Sequence, residues 1–242
     1  YDLIFQAKEY DSEVQKALSI AGYDQAKPKG ILEIGCGTGA HTKALALGQK
    51  GVPITAIDID SDMVELSRMN MRDFEHVEIL QTRIEDLERR GFSVALALFN
   101  VVTYIGSFSD LTSFFQGVYL ALDDGGAFVF DCWNGVAALR DPPGGKETTF
   151  EDDRVSLHCL LDSSTDFLKQ RTVLTYTISV RNKDTGVAES GAHSFQQNLW
   201  TPNQVFDALQ MAGFSDTEYF TFMEPSVPAT HDSWKITFSC RK

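Results

Sequence analysis

The segment best suited to hold a ligand is a glycine-rich turn. The apolar run ILEI leads directly into Gly35-Cys36-Gly37-Thr38-Gly39, and a helical pattern follows. Three glycines at alternate positions permit a tight turn and let a ligand lie directly against the backbone. The dinucleotide-binding fingerprint is GxGxxG, whereas the third glycine here comes one residue early. The spacing therefore disfavours a bound phosphate.

A second candidate is Asp58, which ends the next apolar run nineteen residues after Gly39, in the stretch ITAIDIDSDM. A carboxylate at the tip of the second strand can accept hydrogen bonds from both hydroxyls of a ribose, as either NAD or an adenosyl cofactor would require. Ile59 and Met63 follow, and they either offer apolar surface to an adenine or pack in the core. The two signals together predict a site for a nucleoside-containing ligand.

These two segments, ILEIGCGTGAHT and AIDIDSDMVELSR, resemble the first two motifs of the class I S-adenosylmethionine-dependent methyltransferases. The resemblance implies that the turn holds the methionine part of S-adenosyl-L-methionine and that Asp58 holds its ribose. Glu33 matches the acidic residue that precedes the turn, although nearby backbone can also satisfy a carboxylate at this position. The implied contacts from the turn itself are Gly35, Cys36, Gly37 and Gly39.

The third motif of that family usually reads GDAxDL, and the matching stretch here is Thr82 to Leu87. Arg83 replaces the usual aspartate, so the resemblance leaves adenine recognition to the backbone around Ile84 or to the carboxylate of Glu85 or Asp86, with Ile84 and Glu85 as the first candidates. The fourth apolar run ends in LALFNVVTYIG. The family places residues after this strand against the cofactor and its methyl group, which implies a cofactor contact for Phe99.

Asn100 and Tyr104 are the candidate catalytic residues in this same segment. Methyl transfer is an in-line displacement, so aligning the acceptor with the methyl group is the main requirement. A hydroxyl acceptor benefits from a general base, whereas a deprotonated amine needs only to be positioned. Tyr104 can orient either acceptor, or it can simply pack under a loop.

A closer likeness, to bacterial amino-sugar N-methyltransferases, extends over the opening YDLIFQAKEYDSEV, the LFNVVTYIG segment and a β-rich insertion. In that group Tyr104 matches a position often occupied by histidine. Tyr1 and Tyr10 match aromatic residues that close over the cofactor, and Tyr10 is expected to bind its carboxylate. Trp133 and Asn134, just past the fifth strand, are candidate contacts to the acceptor.

The composition restricts the partners. A formal net charge of −13 disfavours nucleic acid and anionic membranes and suits a small-molecule acceptor. No apolar run is long enough for a membrane span, and the four scattered cysteines suggest free thiols in a cytoplasmic protein. The five histidines and four cysteines lack metal-ligand spacing, so no metal is expected.

The elements that must position these residues alternate between short apolar strands and helical segments up to GAFVFD, as in a parallel sheet wound by helices. We expect an α/β fold, a Rossmann-like seven-stranded methyltransferase sheet with an inserted antiparallel β-rich segment. Residues 1–142 would form an N-terminal helix and the cofactor-binding core. The insertion, residues 143–200, would lie over the acceptor site, with turns at Asp162-Ser163-Ser164 and at residues 182–186. Residues 201–242 would return to the core as a helix and two strands.

The sequence thus predicts methyl transfer to a nitrogen or oxygen of a small molecule, such as an amino sugar or a nucleotide-linked sugar, by an enzyme that can form a homodimer through the insertion. Two alternatives stay open. One is a non-catalytic module that binds S-adenosylmethionine, and the other is a nicotinamide-dependent oxidoreductase, against which the early third glycine counts.

Overall fold

The computed structural model describes residues 8–23 and 29–242. A seven-stranded sheet forms the centre of the described chain, in the order β10-β11-β5-β4-β1-β2-β3. Its strands are β1 (Ile31–Ile34), β2 (Ile54–Asp58), β3 (Val77–Gln81), β4 (Phe92–Ala97), β5 (Leu122–Trp133), β10 (Ser215–Thr221) and β11 (Lys235–Arg241). Strands β3, β2, β1, β4 and β5 run parallel, and β11 pairs antiparallel with both β5 and β10.

Within residues 8–23 and 29–242, six helices accompany the strands. Five of them are eight residues or longer: α1 (Tyr10–Ile20), α2 (Ala40–Gly48), α3 (Ser61–Met71), α4 (Phe108–Ala121) and α6 (Pro202–Ala212). The short α5 (Gly135–Arg140) follows β5, and a 3₁₀ turn (Val101–Tyr104) follows β4. Helix α6 begins at the predicted Thr201-Pro202 signal with a complete capping box and ends at Gly213, whose φ is 104°.

Both faces of the inner strands β1, β2 and β4 are buried, which explains why these strands read as continuous apolar runs. Phe128 and Phe130 of β5 pack in one cluster with residues of α4 and α6. Ala127 and Val129, which alternate with them, belong to a second cluster that includes residues of α1 and α2. The polar residue Asp131 continues the alternation on the second face, and its burial therefore requires partners.

The inserted segment forms a separate antiparallel sheet of four strands in sequence order. These are β6 (Lys146–Glu151), β7 (Val155–Asp166), β8 (Arg171–Asn182) and β9 (Ala188–Asn198). The predicted fold class, a seven-stranded sheet with an antiparallel insertion, is confirmed. No helix in the described part of the chain is long and apolar enough to cross a membrane.

One predicted turn is wrong. Asp162, Ser163 and Ser164 lie within β7, where they pair with residues 173–175 of β8. The chain reverses only after Asp166, and Gln170 there has a φ of 52° without a glycine or proline to mark it. The run of polar residues suggested a turn. An antiparallel sheet with one solvated face tolerates such residues within a strand. The second predicted turn, at residues 182–186, matches the end of β8.

Gly135 fixes the junction between α5 and the chain that leaves the insertion. Its N–H donates to the carbonyl oxygen of Trp200 at 2.9 Å, and an added Cβ would lie 2.2 Å from the carbonyl oxygen of Leu199. We therefore expect Gly135→Ala to lower the free energy of unfolding by about 1–3 kcal/mol through overpacking. Gly144→Ala is the matched control, since a Cβ there meets no atom within 4 Å. Chemical denaturation measures both, and equal stabilities would contradict the tight junction.

Candidate active site

Strands β1, β2, β4 and β5 are parallel, so their carboxyl ends meet at one edge of the sheet. The segments that leave these ends contain most of the residues singled out in the sequence. Open α/β sheets bind their ligands at this edge. The predicted residues therefore converge through the topology of the sheet, although they lie far apart in sequence.

The glycine turn is folded over the end of β2. The amides of Gly35 and Cys36 donate to the carbonyl oxygen of Ile57 at 2.8 and 3.1 Å. The amide of Gly37 donates to Oδ2 of Asp58 at 2.8 Å. Gly35 has a φ of 71°, and a Cβ there would lie 2.6 Å from Val101 Cγ2. Glycine is thus required at this position both by conformation and by space.

Gly37 and Gly39 also have positive φ angles, 54° and 88°. A Cβ on Gly37 would meet nothing within 4 Å, so its backbone borders open space, as a cradle for a ligand must. Gly39 forms the N-cap of α2, and a Cβ there would lie 2.7 Å from Ser67 Oγ. The thiol of Cys36 is buried, and this burial raises its pKa, so the side chain is chemically inert.

Asp58 accepts one backbone hydrogen bond on each carboxylate oxygen, from Gly37 on Oδ2 and from Asp60 on Oδ1 at 3.0 Å. Each oxygen can accept a further hydrogen bond, which matches the two hydroxyls of a ribose. Beside it, Ile59 is 70% exposed, an unusual position for a large apolar side chain at a strand end, and Met63 is partly buried. A carboxylate next to accessible apolar surface and an open glycine cradle fits an adenosyl group with a methionine tail.

Glu33 lies on β1 and is 2% exposed. The hydroxyl of Thr42 donates to its Oε2 at 2.7 Å. Burial raises the pKa of Glu33 to about 8, and the nearby charge of Asp58 contributes to the shift. The folded protein therefore favours a protonated Glu33 at neutral pH, which reduces repulsion with Asp58.

In the third motif, the side chain of Ile84 is 2% exposed and belongs to the main core cluster, so only the backbone of Ile84 is left to contact an adenine. The predicted backbone contact stays a prediction. The backbone at Ile84 and Glu85 lies against α4, 3.1 Å from where a Cβ of Gly117 would stand. The carboxylate of Glu85 pairs with Arg83 at 2.9 Å. Packing between α4 and this loop explains why Ile84 turns inward.

The segment after β4 contains the candidate catalytic residues. Phe99 and Asn100 both have positive φ angles, 71° and 64°. Asn100 is 8% exposed, and among the described residues its Oδ1 has no hydrogen-bond partner. Tyr104 ends the 3₁₀ turn, is half-exposed and contacts the ring of Phe195 edge-on at 6.1 Å between centroids.

Desolvation raises the pKa of Tyr104, and an interaction with Gln197 opposes the shift only in part. The phenol therefore stays protonated at neutral pH and can orient a substrate but not act as a base. Both Phe195 and Gln197 come from β9, so the insertion supplies one wall beside Tyr104. Tyr176 of β8 adds a further edge-on contact to Phe195 at 5.9 Å.

The start of α1 is tied to the start of α2. Tyr10 contacts the ring of His41 at 4.8 Å between centroids, and its own ring lies 4.7 Å from the ammonium of Lys8. Glu13 pairs with Lys8 and, at 3.0 Å, with His41. Burial opposes the charge of Glu13, but the hydrogen bonds from His41 and Lys8 outweigh it and lower its pKa to about 2. These contacts bring Tyr10 next to the helix that follows the glycine turn. Tyr1 lies outside the described residues.

At the end of β5, Trp133 contacts Trp234 edge-on at 5.2 Å between centroids. The side chain of Asn134 forms hydrogen bonds within the protein and is not available to a ligand. Its Nδ2 donates to the carbonyl oxygens of Thr230 and Ser233, at 3.2 and 3.0 Å, and its Oδ1 accepts from Val136 as the N-cap of α5. With both polar atoms used and 2% exposure, Asn134 is a wrong choice for an acceptor contact.

Sequence reasoning missed the supporting residues of the site. Asp131 interrupts the apolar strand GAFVFDCW, and this unexplained charge was a usable signal. Lys235 pairs with Asp131 at 2.9 Å, and Gln197 lies on the insertion. The sequence around these two residues contains no comparable signal.

Comparison with known proteins agrees with this geometry. Residues 32–128 match the family model described as a methyltransferase domain. No curated protein sequence matches significantly.

Several solved structures share the fold across the whole chain. The sugar N-methyltransferase KedS8 from Streptoalloteichus sp ATCC 53650 is 17% identical, with a TM-score of 0.80, over 100% of this chain and 92% of that one. An S-adenosylmethionine-dependent methyltransferase from Clostridium acetobutylicum ATCC 824 is 18% identical, with a TM-score of 0.79, over 100% and 95%. CalS10, an amino pentose methyltransferase from Micromonospora echinaspora, solved with its cofactor bound, is 15% identical, with a TM-score of 0.76, over 98% and 93%.

The family model covers the glycine turn, Asp58 and the segment from Phe99 to Tyr104. The predicted enzyme class, a methyltransferase, is confirmed by the methyltransferase-domain match over residues 32–128. The chain shares its fold with solved S-adenosylmethionine-dependent methyltransferases. S-adenosyl-L-methionine, the predicted cofactor, agrees with this class. The roles of the individual site residues stay predictions.

The raised pKa of Glu33 has a measurable consequence. A carboxyl whose folded-state pKa is raised stabilises the protein fully below its unfolded pKa, near 4.5, and this contribution is lost as the pH rises toward 8. Relative to Glu33→Gln, the free energy of unfolding of the wild type should fall by up to ~1.4 kcal/mol per pH unit across this range. Denaturation at several pH values tests this, with the exposed Glu75→Gln as control. A constant difference between wild type and Glu33→Gln would contradict the buried, protonated state.

Proposed function

We propose that this protein transfers the methyl group of S-adenosyl-L-methionine to a nitrogen of a small-molecule acceptor, with an amino sugar, free or nucleotide-linked, as the favoured class. The observation that carries this proposal is the buried Oδ1 of Asn100, four residues before Tyr104, which has no hydrogen-bond partner in the part of the chain that the structure describes. A buried carbonyl oxygen without a partner is costly, and an amine N–H would satisfy it. A small molecule that receives the methyl group on an oxygen atom is the other candidate acceptor.

In this proposal the bound cofactor supplies a methyl group activated by its sulfonium charge. Asp58 binds the ribose, and the open backbone at Gly37 accommodates the methionine part, with Tyr10 near its carboxylate. Ile59 and Met63 provide apolar surface for the adenine, together with the backbone at Ile84 and Glu85. Phe99 completes the cofactor pocket at the end of β4. Each of these residues acts through its position and its charge, and none of them has to gain or lose a proton.

Asn100 and Tyr104 would then align the acceptor. The amide oxygen accepts a hydrogen from the amine, and the protonated phenol donates to a neighbouring oxygen of the acceptor. His41, the one buried histidine among the described residues, is held by Glu13 and Lys8 between α1 and α2. A site that positions without a strong base favours an amine, because a neutral amine needs none.

The favoured acceptor also draws on the proteins that share the fold, since KedS8 is described as a sugar N-methyltransferase and CalS10 as an amino pentose methyltransferase. We further propose that residues 143–200 act as one unit over the acceptor, with Phe195 and Gln197 facing Tyr104 and with Trp133 lining the entrance. The same insertion is the candidate surface for a homodimer. Four free thiols, all buried, suit a cytoplasmic location.

The direct test of this function combines binding and turnover. Titration calorimetry with S-adenosylhomocysteine should give micromolar binding, while NADH should give none. Radiolabelled methyl transfer should then be detected with a panel of amino sugars, and the matching sugars with a hydroxyl in place of the amine serve as controls. Binding without transfer to any amine or hydroxyl would favour a cofactor-binding module. NADH binding would favour an oxidoreductase.

Asp58→Ala tests the ribose assignment. Loss of hydrogen bonds to a charged group should weaken S-adenosylhomocysteine binding by about 1.5–3 kcal/mol, or roughly 10- to 150-fold. Asp73→Ala is the control, because the Asp73 side chain is 82% exposed on the solvent side of the chain after α3. Calorimetry on variants that unfold at the temperature of the wild type provides the comparison. Unchanged affinity in Asp58→Ala would remove Asp58 from the cofactor site.

Tyr104→Phe tests the alignment of the acceptor. Deleting one hydroxyl should lower kcat roughly tenfold, the loss of one transition-state hydrogen bond, while affinity for S-adenosylhomocysteine stays within about twofold. Tyr219→Phe, a partly exposed tyrosine on β10, controls for loss of a phenol outside the site. Steady-state kinetics with the acceptor found by screening measure the effect. If only the melting temperature falls, Tyr104 is a packing residue.

A further inference from the structure

The chain leaves β4 in a conformation that residues with a Cβ rarely adopt. Phe99 and Asn100 are consecutive, and both lie in the left-handed region, with φ angles of 71° and 64°. Such conformations persist only where the surrounding structure holds them, and they concentrate at functional sites. The 3₁₀ turn that ends at Tyr104 starts directly after Asn100, so this bend sets the direction of the whole segment.

A single side chain holds both residues. Oδ1 of Asp131 accepts from the amide of Phe99 at 2.7 Å, and its Oδ2 accepts from the amide of Asn100 at 3.1 Å. Asp131 lies on β5, next to β4 in the sheet, and is fully buried. Its two oxygens grip two successive backbone N–H groups, which only a planar, doubly accepting side chain can do.

The charge of Asp131 is balanced from the next strand. The ammonium of Lys235, on β11, lies 2.9 Å from Oδ2 and 5.6 Å from the centre of the Phe99 ring. The ammonium of Lys8, near the start of α1, lies 5.0 Å from the centre of the same ring. Phe99 thus has its backbone held by Asp131, and its ring lies within 6 Å of two cations.

We propose that Asp131 is a positioning residue for the methyl-transfer reaction, an inference that rests on the proposed function. By holding the amides of Phe99 and Asn100, it keeps the Phe99 ring at the cofactor and the Asn100 side chain at the acceptor. Asp131 itself touches neither ligand. Lys235 keeps the carboxylate oriented through its contact with Oδ2.

Asp131→Asn keeps the shape but should release the clamp. Asparagine has one acceptor oxygen, and its NH₂ group would face one of the two backbone N–H donors. Val129→Ala is the matched control, since Val129 is fully buried on the same face of β5, two residues away, and makes no side-chain hydrogen bond. Both variants lose core stability, but only the first should affect residues 99 and 100.

Two measurements separate the roles, and neither needs the acceptor. NMR hydrogen exchange on the ligand-free protein should show the amides of Phe99 and Asn100 exchanging at least tenfold faster in Asp131→Asn than in Val129→Ala. Calorimetry should show about tenfold weaker binding of S-adenosylhomocysteine in Asp131→Asn, as expected for the loss of a charge-assisted hydrogen bond.

A rescue experiment then tests the conformational reason. Glycine adopts the left-handed conformation without the Cβ penalty, so Asp131→Asn should weaken binding by about threefold or less when it is made in an Asn100→Gly background. Equal exchange rates and affinities in Asp131→Asn and Val129→Ala would overturn the proposal and leave Asp131 a structural residue. If the wild type fails to bind S-adenosylhomocysteine, the proposed function fails, whereas the exchange rates still decide whether Asp131 is the clamp.

Discussion

The hydrogen bond from the Gly37 amide to the Asp58 carboxylate joins the glycine turn to the end of β2, and the arrangement of the proposed cofactor site depends on it. It forms because β1 and β2 pair in parallel with Ile34 opposite Ile57, so that the chain leaving β1 turns directly over the end of β2. Glycine at positions 35 and 37 permits that turn, since both adopt positive φ angles. The backbone and the carboxylate are thereby fixed relative to each other before any ligand binds, which lowers the entropic cost of binding.

Charged side chains are also buried near this edge of the sheet, in a protein whose net charge is −13. Asp131 with Lys235, and Glu13 with Lys8 and His41, form two buried groups on the same side of the sheet, and the ring of Phe99 lies near a lysine from each. Buried ion pairs contribute little net stability, because desolvation offsets attraction. Their value here is geometric: they hold a bent segment and the start of α1 in one arrangement around the site.

The sequence was informative where backbone geometry demands particular residues. The glycine turn, Asp58 and the Thr201-Pro202 helix start are local signals, and all three occur where they were expected. The side chain of Ile84 is buried because its loop packs against α4. The side chain of Asn134 is unavailable to a ligand because it donates to carbonyl groups nearly one hundred residues away. Such tertiary contacts leave no local pattern. The same holds for Gln197, whose place beside Tyr104 results from the fold of the insertion, and for β7, whose polar centre resembles a turn.

A crystal structure of the protein with S-adenosylhomocysteine bound would show whether Asp58 and the glycine turn hold the cofactor. We expect both ribose hydroxyls within hydrogen-bonding distance of the Asp58 carboxylate, the amino-acid tail against the backbone at Gly37, and the sulfur atom facing Asn100 and Tyr104. A ligand bound at the same edge with its ribose on another residue would contradict the role of Asp58. A ligand bound away from the carboxyl ends of β1, β2 and β4 would show that the cofactor site is not at this edge of the sheet.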